Sequence, residues 1–102
     1  MILEIDPSGA RRYRKGERVE IAVRARDRQS GVGVVEIRAC EGTGCTWDSA
    51  TVVTTLTDAP WKTTWRVPTG GRWVFFARAR NGDGVWSEAI PSDEVRTRSR
   101  KR

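Results

Sequence analysis

A period of two constrains this chain more than anything else in it. In Arg18–Arg26, Val19, Ile21, Val23 and Ala25 fall on one side, with Glu20, Arg24 and Arg26 on the other. Alternation of this kind marks a strand with one face buried and one face in water. Residues 34–40 repeat it, with Val35, Ile37 and Ala39 inward and Glu36 and Arg38 outward. Residues 73–80 repeat it again, with Trp73, Phe75, Ala77 and Ala79 on the buried side. Thr51–Leu56 is β-branched apart from its last residue and suits a pleated sheet. Residues 61–67 place Trp61, Trp65 and Val67 on one face. A short edge strand is expected at 2–5, ended by Pro7, and a last core strand at 85–90.

Turn residues separate these runs: Asp27 to Gly31, Glu41 to Gly44 with Cys45 beginning the return, Asp58-Ala59-Pro60, Pro68 to Gly71, and Asn81-Gly82-Asp83-Gly84. The last of these is a strong hairpin signal, because Asn-Gly and Asp-Gly tolerate positive φ. About seven strands with no helical segment predict an all-β domain. Each strand has one apolar face to cover, so two antiparallel sheets packed as a sandwich are expected. Val74 and Phe76 fall on the outward face of their strand. Two apolar side chains there imply either cover by the chain termini or an exposed patch that meets a neighbouring domain.

A chain of 102 residues supports one compact domain. Its core must come from a few large side chains, chiefly the five Trp and two Phe. No apolar run approaches the roughly 20 residues that span a bilayer as a helix, so no membrane insertion is expected. Histidine is absent. That removes Ser-His-Asp and Cys-His catalysis and any zinc site built on imidazole. Carboxylates are scattered rather than paired across a cleft. Gly82 and Gly84 precede no helix, so they form no phosphate loop. No enzyme, catalytic residue, metal site or cofactor is predicted. Asn81 and Asp83 have a sufficient role as turn residues without calcium.

The formal charge of +6 suggests a polyanionic partner, but its distribution argues against nucleic acid. Arg96, Arg98, Arg100, Lys101 and Arg102 all lie in the last seven positions, so the charge over residues 1–95 is only +1. The expected organisation is a sandwich domain over 1–95 and a basic tail or linker over 96–102. Those five residues are candidate polyanion contacts. A smaller basic group stands at Arg11, Arg12, Arg14, Lys15 and Arg18, answered by Glu17 and Glu20.

Three ordered segments resemble a known family. Ala25, Asp27, Gly31-Val32 and Val35-Glu36 resemble the second-to-third strand signature of bacterial immunoglobulin-like modules. Ala59-Pro60-Trp61 with Trp65 is similar to their Ala-Pro-aromatic strand. Residues 75–84 resemble their closing alternation into a Gly turn, and Val85-Trp86-Ser87-Glu88 looks like the last hairpin of fibronectin type III domains. Together they frame residues 17–90. The resemblance implies an immunoglobulin-like, fibronectin type III-like sandwich. It also implies a non-catalytic accessory or spacer module of a secreted or surface bacterial protein, whose partners are neighbouring domains or another protein. The loop from Cys40 to Trp47 departs from the family pattern.

Cys40 and Cys45 sit at either end of a predicted hairpin loop. Cross-strand positions there suit a disulfide, which would place the protein outside the reducing cytosol; free thiols are the alternative. Trp61, Trp65 and Trp73 read as core. Trp86 is expected to lie over Arg78 or Arg80 as a cation–π pair, similar to the stacking around the Trp-Ser motif of cytokine receptor domains. Trp47, beside Asp48 and Glu41, reads either as packing under the loop or as a saccharide platform, with Trp86 a second candidate ring. A polysaccharide is therefore a possible partner, and the oligomeric state is left open.

Overall fold

The computed structural model describes residues 2–6, 11–14, 16–27, 31–68, 71–92 and 95–98. Nine strands and no helix form among them: β1 (Ile2–Asp6), β2 (Arg11–Arg14), β3 (Arg18–Arg26), β4 (Val32–Glu41), β5 (Thr51–Leu56), β6 (Lys62–Arg66), β7 (Gly71–Asn81), β8 (Ile90–Pro91) and β9 (Val95–Arg98). One sheet has the order β1-β3-β6. The other has the order β2-β9-β7-β4-β5, with β8 also on β7. All pairings are antiparallel except β2 with β9, which is parallel. The two sheets face each other as an immunoglobulin-like sandwich.

The inward residues of β3, β4 and β7 meet as the alternation requires. Ile21, Val35, Ile37, Phe75, Ala77 and Ala79 lose essentially all solvent contact. Burying Phe75, Ile21 or Ile37 contributes about 1.5–3 kcal/mol apiece. Trp61, Trp65 and Trp73 pack against this core from its margin and are half-buried rather than central. The Trp65 ring meets Trp73 edge-on at 4.8 Å and Phe75 at 5.0 Å, the arrangement aromatic quadrupoles favour.

Several expectations are corrected. Residues 85–90 do not form a core strand. They touch β7 through an isolated bridge between Arg80 and Trp86, then through the two residues of β8. Pro91 lacks the N–H a continuous ladder needs, and two serine hydroxyls take over that role, as described below. The strand that completes this side of β7 is β9, with Trp73 opposite Val95 and Arg72 opposite Arg96. Val95 is fully buried, so residues 95–98 belong to the sheet and the boundary expected at 95 falls inside a strand. Residues 99–102, with Arg100, Lys101 and Arg102, lie outside the described residues, as does Pro7. The return after Cys45 is also later than expected, since β5 starts at Thr51. Phe76 is buried although its strand turns it outward; its register partners are Arg38 and Pro91. Half-buried Val74 stands opposite Cys40. β4 thus flanks both, and β8 also flanks Phe76.

Candidate functional site

The outer face of the larger sheet collects the chemically conspicuous side chains. By alternation β4 turns Glu36 and Arg38 to this face, and β7 turns Arg78. Glu36 and Arg78 are register partners. Glu36 is only 9% exposed. Its carboxylate accepts from Arg38 Nε at 2.9 Å and from Arg78 Nη2 at 3.1 Å, one guanidinium on each oxygen.

Both guanidinium groups also meet indole rings. Arg38 lies 4.0 Å from the centroid of Trp47, and Arg78 lies 4.9 Å from the same ring. Arg78 is 4.1 Å from the ring of Trp86. The contacts thus run Trp86, Arg78, Trp47, Arg38, with the Glu36 carboxylate bridging both cations. A cation over a partly desolvated indole gains about 0.5–2 kcal/mol.

Local folding explains how Trp47 arrives there. The disulfide joins Cys40, near the end of β4, to Cys45, with a Cα separation of 6.1 Å. A turn follows in which the Ser49 N–H donates to the Thr46 carbonyl and the Thr46 N–H donates to Ser49 Oγ. Arg38 Nη1 donates to the Trp47 carbonyl at 2.8 Å and fixes the loop to the sheet. Trp86 is held by a different device. The Ser87 N–H donates to the Ala79 carbonyl at 2.8 Å, and Ser87 Oγ accepts from the Ala79 N–H at 3.0 Å. Ser92 treats Phe75 in the same way, at 2.7 and 3.0 Å. Two hydroxyls therefore stand in for the ladder bonds that an irregular segment cannot make.

The expected Cys40–Cys45 bond is present, and Trp86 takes Arg78, one of the two arginines expected of it. Trp47 and Trp86 come together through that shared arginine. Asp48 is exposed in the turn. Glu41 stands apart: it ends β4 opposite Trp73, beside Gly71. The four residues named as a saccharide site thus do not converge. Of the tail residues, Arg96 and Arg98 lie in β9. Sequence reasoning missed Glu36, because alternation places it outward without showing that a loop will cover it. It also missed Ser87 and Ser92 as pins.

A groove of about 660 Å³ runs along the open side of the sandwich between β5 and β6, with Val53, Thr64, Trp65 and Trp73 in its wall. Trp73 Nε1 is buried there without a hydrogen-bond partner. At the far pole, Asn81 Nδ2 donates to Asp27 Oδ2, and Asn81 Oδ1 accepts from the N–H groups of Asp83 and Val85. This is the turn role given to Asn81 above. Among the described residues no cluster of three or more metal-ligating side chains forms.

No family model and no curated protein matches the chain. Solved structures do. A fibronectin(III)-like module of CbhA from Clostridium thermocellum superposes with a TM-score of 0.77 at 15% identity, over 98% of this chain and 100% of that one. Superoxide reductase (neelaredoxin) from Ignicoccus hospitalis gives 0.66 at 10% identity, over 95% and 80%. CopC from Methylosinus trichosporium OB3b gives 0.54 at 18% identity, over 97% and 93%. Likeness at such low identity speaks for fold and not for activity. On strand order, core and structural likeness together, the chain has an immunoglobulin-like, fibronectin type III-like fold.

Proposed function

We propose that this module is a non-catalytic accessory domain of an extracellular or cell-surface bacterial protein, acting as a rigid spacer between neighbours and as a surface for protein contact. The observation that carries this reading is the placement of the outer strands. β1 begins opposite Arg26, at the end of β3. β9 ends opposite Arg14, near the start of β3. Chain continuing from either would leave at opposite poles, separated by the nine residues of β3, or roughly 30 Å. The disulfide supports an oxidising compartment. The Glu36-centred stack supports a structural use for half-buried Trp47 and exposed Trp86, since their rings already have partners.

Saccharide binding on Trp47 and Trp86 has weaker support. Trp47 is engaged by two guanidinium groups, and the carboxylate of Glu41 lies beside Gly71 instead. The spacer reading is tested by fusing a donor and an acceptor fluorescent protein to the two ends and recording single-molecule energy transfer. A single narrow population, unchanged by moderate denaturant until the domain unfolds, is expected. A broad distribution resembling that of a flexible linker would overturn the reading.

A further inference from the structure

Each sheet of the sandwich ends in two strands: β1 and β6 in the smaller, β2 and β5 in the larger. An edge strand presents unpaired N–H and C=O groups and is a template for another chain. Three of these edges carry charges of one sign. β1 has Glu4 and Asp6, β2 has Arg11, Arg12 and Arg14, and β6 has Lys62 and Arg66. Two copies meeting along any of these would set like charges against one another, which destabilises a sheet. β5 differs. Thr51–Leu56 holds no charge, no Pro and no Gly, and every residue before Leu56 is β-branched. That is the composition of a self-pairing strand. Among the described residues β5 pairs only with β4, and the groove facing β6 opens beside Thr51, Val52 and Val53. Val52 is exposed.

The register with β4 shows how a second copy fits. Thr51, Thr54 and Leu56 stand opposite Ala39, Ile37 and Val35, so they share the inward face. Val52 and Thr55 stand opposite Arg38 and Glu36 and share the outward face. Val53 is the extra residue of a bulge and packs against the core. From Thr51 to Leu56 the order is therefore in, out, in, in, out, in, which reads the same in both directions. A two-fold axis between Val53 and Thr54 sets Val52 against the partner's Thr55, both outward, and Thr51 against the partner's Leu56, both inward. A shift of one residue would oppose inward and outward side chains. The bulge bends the edge, which hinders a straight foreign strand; a second copy carries the same bend at the same place.

We infer that β5 is the edge through which two copies of this chain associate, joining their larger sheets into one continuous antiparallel sheet. Each copy has one such edge and the pairing consumes both, so assembly stops at two. One strand from each copy makes a small contact, and the dimer is weak and concentration-dependent. The inference goes beyond the spacer reading and does not rest on it, because β5 lies along the side of the sandwich and leaves both poles free.

Sedimentation velocity of the full chain, from about 10 µM to about 1 mM, is the test. A monomer–dimer equilibrium is expected within that range. Val52→Glu and, separately, Thr55→Lys should weaken association about tenfold or more, as charges on an edge do. The double variant sets opposite charges at the paired positions and should return to within about threefold of the parent. Thr64→Lys, on the facing edge of β6, should also stay within about threefold. Positions 52, 55 and 64 are exposed, so each variant should keep the parent's melting temperature in dilute solution. Amide exchange of the unaltered chain gives a reading that needs no variant: protection of β5 amides should rise with concentration while that of β6 does not. A chain that stays monomeric at the highest concentration overturns the second copy as occupant and leaves the edge to an extended segment of another protein. Equal losses in Thr64→Lys and Val52→Glu overturn β5 as the contact. Failure of the double variant to recover overturns the two-fold register, and species larger than a dimer overturn the closed pair. A flexible result in the energy-transfer experiment leaves this inference standing.

Discussion

Replacing Glu36 by Gln is the sharpest probe of the outer-face stack. The substitution keeps the shape and removes one charge from between two guanidinium groups at 2.9 and 3.1 Å. Hydrogen bonds to charged groups contribute about 1.5–3 kcal/mol each when fully desolvated. The Arg38 and Arg78 side chains retain 19% and 30% exposure, so water screens part of that gain. Glutamine still offers one oxygen, and the expected net loss is about 2 kcal/mol. For a domain of this length that corresponds to a fall of roughly 8–16 °C in Tm. The comparison is Glu20→Gln, which removes the exposed pair with Lys62 at 3.9 Å and should cost less than about 0.5 kcal/mol. Thermal and urea melts of both variants, repeated at high salt, make the assay. The Glu36 effect should persist in salt, because partly buried pairs are screened less. A double-mutant cycle of Glu36→Gln with Arg78→Gln should return a coupling of about 1 kcal/mol or more. Equal losses for Glu36→Gln and Glu20→Gln, with no coupling, would refute the claim that Glu36 organises this face.

Two further outcomes follow from the same structure. Alkylation without reductant should leave both cysteines unmodified, and Cys40→Ser with Cys45→Ser should cost about 2 kcal/mol while preserving the all-β circular dichroism, because so short a loop gains little from closure. Ser87→Ala should cost about 1–2 kcal/mol, since it removes the partner of the Ala79 N–H, and amide exchange at Ala79 should accelerate while that at Ile37 does not.

The parts of the fold that were readable were those with one wet and one dry face. β3, β4 and β7 announce themselves because Val19, Ile21, Val35, Ile37, Phe75 and Ala77 must all reach the same interior. β2 and β9 stayed hidden because they are short strands crowded with arginine. Tyr13 and Val95 pack into the core from them, and one or two inward residues make no period. Residues 85–90 misled for the opposite reason: an apolar, aromatic stretch looked like a ladder strand, whereas side-chain hydroxyls from Ser87 and Ser92 do the pairing. The stack on Glu36 was only half visible. Alternation put Glu36, Arg38 and Arg78 outward, and outward was equated with solvated. The nine residues between β4 and β5 (42–50) fold Trp47 back onto that face, and a loop of that length leaves no periodic trace.

The most direct test is the nuclear magnetic resonance spectrum of the Arg78 side chain. A guanidinium held 4.1 and 4.9 Å from two indole centroids sits in their ring currents. Its δ-methylene and Nε protons should therefore resonate well upfield of an exposed arginine such as Arg24, and part of the shift should vanish in Trp47→Ala and part in Trp86→Ala. Arg78 resonances indistinguishable from those of Arg24 would mean that these rings stand free, and the structural account of this surface would fail.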